Sequence, residues 1–138
     1  MKKKLVLFFA TFVSITLTVF AVTYAGETNE KTIIVSEEKV DVTGDGKKDL
    51  ILIKGTPFEE GGQFLKSITL EVIAAKDKTF KINLEGGYDP STMYRDMNHD
   101  GVKDIFISIP TGGSGGLSNF YLYSFKDFIT TDLTVPQP

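Results

Sequence analysis

The chain has 138 residues, 41% of them apolar, which is enough for one modest domain with a packed core. It contains no Cys, so disulfides and a lipid-modified N-terminal Cys are excluded. Residues 1–25 carry three Lys and no acid, and without them 12 basic residues face 18 acidic ones, a net charge of −6. Such an acidic chain does not suit nucleic acid or an anionic membrane as a partner.

The N-terminal residues 1–25 have the three parts of a secretory signal peptide. Residues 2–4 are lysines, residues 5–22 are an uncharged stretch, and the small residue Ala25 stands where a signal peptidase would cut. We therefore predict an exported chain of residues 26–138. An uncleaved N-terminal anchor is the alternative, because the apolar stretch is long enough to span a bilayer.

The sequence after the signal repeats itself at an offset of 55 residues. Each copy contains an Asp-rich loop, then an apolar run, a turn-rich stretch and two strand-like segments with apolar residues at every second position. We predict an all-β fold of two four-stranded antiparallel repeats, at about residues 32–85 and 88–134, forming a single domain. The first strand of each repeat is expected at residues 32–40 and 88–95, and the last at 79–84 and 128–133.

The two Asp-rich loops, residues 41–49 and 96–104, have the side chains that a calcium site requires. Oxygen-bearing side chains stand at positions 1, 3, 5 and 9 of each loop, and Gly at position 6 allows the sharp turn. Ca²⁺ takes six to eight oxygen ligands and accepts backbone carbonyls, so the carbonyl of position 7 can add another. The candidate ligands of the first loop are Asp41, Thr43, Asp45, Lys47 (carbonyl) and Asp49. Those of the second loop are Asp96, Asn98, Asp100, Val102 (carbonyl) and Asp104.

Other metal sites fit these loops less well. An EF-hand needs Glu at position 12, where the two loops have Leu52 and Ile107. Mg²⁺ prefers strict octahedral geometry, and Zn²⁺ would need more than the one imidazole of His99. We expect the second loop to bind Ca²⁺ better, because Asn98 is a better ligand than Thr43 and fewer lysines lie within the loop.

The loops resemble those of the FG-GAP/VCBS repeat family, whose pattern is D-x-[DN]-x-[DN]-G-x-x-D before an apolar strand. The second loop matches at every position, and the first has Thr43 at the third. The resemblance implies calcium-binding blades of a β-propeller, with the ten ligand residues named above. Two repeats cannot close a propeller ring. The chain is then a shortened family member, a partial propeller completed by another chain, or a small β-sandwich.

More loosely, the whole chain is similar to exported Bacillus-type proteins, some described as spore coat proteins. We therefore expect a non-catalytic calcium-binding module of the cell envelope or spore surface, with a protein or glycan partner. Self-association through exposed sheet edges is a further expectation. The alternatives are a polysaccharide hydrolase and an adhesion or inhibitor protein. Within the segment 117–125, Tyr121, Tyr123 and Phe125 share one face of a strand and Phe120 lies on the other. We predict that these four aromatic side chains pack in the core, and a sugar- or partner-binding strip is the alternative.

Overall fold

A computed structural model describes residues 30–75 and 77–136. The predicted export signal at residues 1–25 lies outside the described residues. The described chain is all-β and forms two antiparallel sheets, which confirms the predicted fold class. These sheets do not close into a barrel or a propeller. Nowhere in the same residues is there a helix both long enough and apolar enough to cross a membrane.

The first sheet is formed mainly by the first repeat, but it has five strands and not the four predicted, because residues 87–88 add a short strand to it. Four of its strands follow the order β1-β2-β3-β4. Its strands are β1 (Ile33–Val40), β2 (Asp49–Pro57), β3 (Phe64–Ile73) and β4 (Thr79–Leu84), with the short β5 (Gly87–Tyr88) paired to the start of β3. The tight β3–β4 turn is closed by a bond of 2.8 Å from the Ala74 N–H to the Lys78 carbonyl. Both outer strands of the first repeat agree with the bounds expected from the sequence to within one residue.

The second sheet has the same consecutive order, β6-β7-β8-β9. Its strands are β6 (Ser91–Arg95), β7 (Asp104–Pro110), β8 (Ser118–Ser124) and β9 (Thr131–Asp132). β6 begins only after Pro90, which has no N–H to donate to a sheet, and Tyr88 pairs with the first sheet instead. β9 is much shorter than the expected strand at 128–133, because residues Lys126–Phe128 form a 3₁₀ turn.

One hydrophobic core is shared by the two sheets. Alternate residues of the central strands are completely or almost completely buried, as in Ile51 and Ile53 of β2 and Ile105 and Ile107 of β7. Phe80 of β4 packs against Phe125, which follows β8, with ring centroids 5.4 Å apart. Polar bonds also join the sheets, since the Tyr121 hydroxyl accepts a bond of 3.2 Å from the Glu85 N–H.

The outer faces of the two sheets differ in character. On the first sheet, Glu71 lies between Lys54, to which it is hydrogen-bonded, and Lys81, whose Nζ is 3.5 Å from its Oε1. On the second sheet, the rings of Phe106 and Phe120 stack at 5.8 Å, and Phe120 is 59% exposed. Core packing is confirmed for Tyr121, Tyr123 and Phe125, which belong to or pack against the core, but it is wrong for Phe120, which lies on the outer face.

Candidate metal centre

The two Asp-rich loops occupy equivalent places in the two sheets. The first joins β1 to β2 and the second joins β6 to β7. Both loops have positive φ at positions 4 and 6, at Gly44 (79°) and Gly46 (82°) in one, and at His99 (61°) and Gly101 (87°) in the other. The predicted conformation of the glycine at position 6 is therefore confirmed, and the sequence repeat corresponds to a repeat of backbone shape.

The aspartate at position 1 of each loop is bonded to the N–H groups of the turn that follows it. The two carboxylate oxygens of Asp41 accept bonds from the Gly44 N–H at 2.7 Å and the Gly46 N–H at 2.9 Å. Those of Asp96 accept bonds from the Asp100 N–H at 3.0 Å and the Gly101 N–H at 2.8 Å. A carboxylate has about four acceptor positions. Each of these carboxylates therefore keeps capacity for a cation.

The pKa of Asp96 reflects the same contacts. Partial desolvation, the largest single influence, raises the pKa, but hydrogen bonds from the backbone of Gly101, Asp100 and His99, together with the nearby His99 side chain, lower it. The lowering contributions prevail, and the pKa is below its ordinary value of 3.8. Asp96 is therefore ionised at neutral pH, as a cation ligand must be.

The aspartate at position 5 is also bonded within its own loop. Oδ1 of Asp45 accepts the Lys47 N–H at 2.8 Å, and Oδ1 of Asp100 accepts the Val102 N–H at 2.9 Å. Position 3 is Thr43 in the first loop and Asn98 in the second. The Asn98 side chain accepts a hydrogen bond from the Asp100 N–H at 3.1 Å and donates one from its amide to the Asp100 carboxylate at 3.1 Å.

Position 9 shows the clearest difference between the two loops. Asp49 is buried, and its Oδ2 accepts the N–H groups of Val42 and Thr43, while the Thr43 hydroxyl lies 3.4 Å from Oδ1. Asp104 is fully buried, and its Oδ2 accepts the Met97 N–H at 2.8 Å. Its Oδ1, however, is buried and has no hydrogen-bond partner among residues 30–75 and 77–136. A buried carboxylate oxygen of this kind requires a compensating group, such as a water or a cation.

The two loops lie side by side in space. A Cβ atom added to Gly44 would approach Val102 Cγ2 to 2.7 Å, so Val102 of the second loop covers Gly44 of the first. Residues of both loops line one open cleft of about 470 Å³, which is also bordered by Lys39, Lys48 and Lys103. The tertiary structure thus brings together two segments that are 55 residues apart in sequence.

The 3₁₀ turn at Lys126–Phe128 contacts both loops. The Asp127 N–H donates to the Thr43 carbonyl of the first loop at 3.0 Å. The Lys126 ammonium donates to the Asp100 carbonyl of the second loop at 2.8 Å and lies 3.9 Å from Asp100 Oδ2. Sequence reasoning missed this turn, because Lys126 is 26 residues from Asp100 and belongs to no recognisable motif.

The carboxylates of each loop do not converge on one point. In the described part of the chain, no group of three or more His, Cys, Asp or Glu side chains is placed so that it could hold a metal ion together. The structure thus brings the predicted ligands into two neighbouring loops of similar shape, with their carboxylates bonded to backbone N–H groups.

A second cleft, of about 500 Å³, lies between β1 and the segment before β6. Its lining is a mixture of polar and apolar surface, and Asp89 is the one carboxylate on it among the described residues. The hydrolase alternative requires two carboxylates that face one cleft. This cleft does not supply that pair.

Comparison with curated proteins found a relative in Bacillus subtilis (strain 168), "Uncharacterized protein YybI", which is 31% identical over 100 residues. The alignment covers 70% of this chain but only 37% of the relative. The chain therefore spans well under half the length of that relative. No protein-family model matches the chain, and no solved structure matches it.

Proposed function

We propose that this protein is an exported, non-catalytic calcium-binding module, in which each Asp-rich loop holds one Ca²⁺ ion. The observation that carries the proposal is the buried Oδ1 of Asp104, which has no hydrogen-bond partner in the described part of the chain. Asp104 closes a loop whose positions 1, 3 and 5 also present oxygen atoms, and Ca²⁺ is the ion that such a set of hard oxygens prefers.

Calcium would act on this structure by drawing the loop carboxylates together. The carboxylates at positions 1, 5 and 9 already orient the loop through backbone N–H bonds, as described above. A Ca²⁺ ion would add a common partner for their remaining lone pairs, joined by the side chain at position 3 and the carbonyl at position 7. Because each loop precedes a central strand, β2 or β7, calcium would stabilise the start of that strand.

The sequence is the basis for the proposed location and role of the module. The predicted signal peptide favours the cell envelope, the medium or the spore surface, and the four-stranded repeats are comparable to propeller blades. The paired loops support a structural or binding role for the module, with a protein or glycan partner. The name of the Bacillus subtilis relative states no function, so the partner rests on the sequence alone.

The proposal is tested by thermal melting of the purified protein in EDTA and then in millimolar Ca²⁺ or Mg²⁺. Extracellular calcium modules bind at about 10⁻⁴–10⁻³ M, so millimolar Ca²⁺ should stabilise each site by about 1–2 kcal/mol. With both sites occupied, we expect Tm to rise by about 8–16 °C with Ca²⁺ and much less with Mg²⁺.

Single substitutions then separate the two sites. Asp100→Ala should remove the part of the Ca²⁺ shift that comes from the second loop, and Asp45→Ala the part from the first. Glu60→Ala is the matched control, because Glu60 is an exposed acid outside both loops. A folded protein whose Tm is the same in EDTA and in Ca²⁺ would refute calcium binding.

A further inference from the structure

The Lys126 ammonium lies against Asp100, the residue at position 5 of the second loop. Its Nζ donates a hydrogen bond of 2.8 Å to the Asp100 carbonyl and is 3.9 Å from Asp100 Oδ2. No lysine is bonded to the first loop in the same way among the described residues. In the second loop, therefore, a lysine ammonium lies beside the carboxylate at position 5.

The backbone next to Lys126 is strained, so the position of the Lys126 ammonium costs conformational free energy. Asp127 (φ 54°) and Phe128 (φ 62°) both lie in the left-handed region, which residues with a Cβ rarely adopt. The turn is stabilised by the hydrogen bond from the Asp127 N–H to the Thr43 carbonyl and by the burial of Phe125 in the core. Strained backbone that neighbouring contacts hold in place is a common sign of a functional segment.

We infer that Lys126 is a built-in counter-cation that sets the calcium affinity of the second loop. This inference rests on the proposed function. Without Ca²⁺, the ammonium offsets the charge of Asp100 and fixes the loop through the Asp100 carbonyl. When Ca²⁺ binds to Asp100, the ammonium becomes a like charge close to the ion and opposes binding. Lys126 thus stabilises the calcium-free loop and weakens its affinity for the ion.

The size of the effect follows from the distance. An ion bound at about 2.4 Å from Asp100 Oδ2 would lie within about 6 Å of the ammonium. At about 6 Å, repulsion between a divalent and a monovalent cation lowers affinity about tenfold even with the dielectric constant of water. Screening at physiological ionic strength reduces this to about threefold.

The inference is tested by calorimetric Ca²⁺ titration in an Asp45→Ala background, in which the first loop has lost one carboxylate. Lys126→Met removes the charge and keeps the aliphatic stem. We expect its Kd to fall about tenfold at low salt and about threefold at 0.15 M salt. In EDTA the same variant should melt about 4 °C lower than its parent, because the bond to the Asp100 carbonyl is lost.

Three further variants separate charge from structure. Lys126→Arg keeps the charge and should have the parental Kd, whereas Lys126→Gln removes the charge, keeps a donor and should bind more tightly. Lys31→Met is the matched control, since Lys31 is an exposed lysine outside both loops. Its Kd should change less than twofold.

The outcomes distinguish this inference from calcium binding itself. Tighter binding by Lys126→Met or Lys126→Gln, combined with a lower Tm in EDTA for Lys126→Met, supports the counter-cation. Parental or weaker affinity in Lys126→Met and Lys126→Gln overturns it while calcium binding stands. If neither the parent nor any variant binds Ca²⁺, both proposals fail together.

Discussion

At the scale of single residues, two buried oxygen atoms lack hydrogen-bond partners among the described residues, and they differ in chemistry. Oδ1 of Asp104 belongs to a charged group in a loop rich in oxygens, so a cation is a suitable partner. The Tyr94 hydroxyl lies between the sheets, where burial raises its pKa. A side-chain hydrogen bond with Thr92 lowers this pKa in opposition, but its geometry is too poor to satisfy the buried hydroxyl. The Asp104 oxygen therefore supports the proposed calcium site, whereas the Tyr94 hydroxyl lowers the stability of the folded protein.

We predict that Tyr94→Phe stabilises the protein by about 0.5–1 kcal/mol, because it removes a buried polar group that has no partner. Equilibrium urea denaturation measures this difference. Tyr121→Phe is the matched control with the opposite sign, because the Tyr121 hydroxyl accepts a bond from the Glu85 N–H. A loss of stability in Tyr94→Phe would show that the hydroxyl does have a partner in solution.

At the scale of the elements, the outer face of the first sheet is crossed by an ion network on β2, β3 and β4. Glu71 of β3 has a side chain only 8% exposed, and it pairs with Lys54 of β2 and Lys81 of β4. The hydrogen bond from Lys54 lowers the pKa of Glu71 against the opposing effect of burial, and the charges of both lysines lower it further. This network ties three neighbouring strands together.

The network makes a part of the stability depend on pH. Since the folded-state pKa of Glu71 is lower than its ordinary value of 4.5, the stabilisation is present above pH 4.5 and is lost as the pH falls through the folded-state pKa. We expect Glu71→Gln to cost about 1–2 kcal/mol at pH 7 and to differ little from wild type once Glu71 is protonated.

Thermal melts of both proteins between pH 2 and pH 7 would measure this dependence. Glu37→Gln is a suitable control, because Glu37 is an exposed acid on the same sheet with no ion pair among the described residues. A constant difference between wild type and Glu71→Gln at every pH would contradict the ion network as its cause.

At the scale of the whole molecule, the shared core makes each sheet depend on the other. Phe125, which is completely buried, directly follows β8 of the second sheet and packs against Phe80 of the first. The same segment continues into the turn that contacts both Asp-rich loops. Loss of contact between the sheets should therefore unfold both of them and also disturb the loops.

We predict that Phe125→Ala destabilises the protein by about 3–5 kcal/mol and that the milder Phe125→Leu costs about 1–2 kcal/mol. Both sheets should still unfold in one transition, seen identically by far-UV circular dichroism and tyrosine fluorescence. Phe120→Ala is the control in the same strand region, since Phe120 is 59% exposed, and it should cost much less. Two separate transitions in the wild type would mean that the sheets fold independently.

The all-β class and the positive φ of the glycine at position 6 of each loop could be predicted from the sequence, because both depend on neighbours in the chain. Strand alternation places side chains on two faces, and glycine at position 6 allows the positive φ observed at Gly46 and Gly101. The boundaries of the second repeat were less predictable. Tyr88 joins the first sheet and Lys126 begins a turn, and both outcomes depend on distant partners.

The amino-acid sequence by itself determined which residues carry oxygen atoms and where the chain can turn, since these are local properties. Only the tertiary structure decided that Val102 covers Gly44, that Oδ1 of Asp104 is buried with no partner in the described residues, and that Lys126 reaches Asp100. The physical reason is that burial and ion contacts arise between segments that meet only when the two sheets pack together. The charge environment of the candidate calcium loops is therefore a property of the fold.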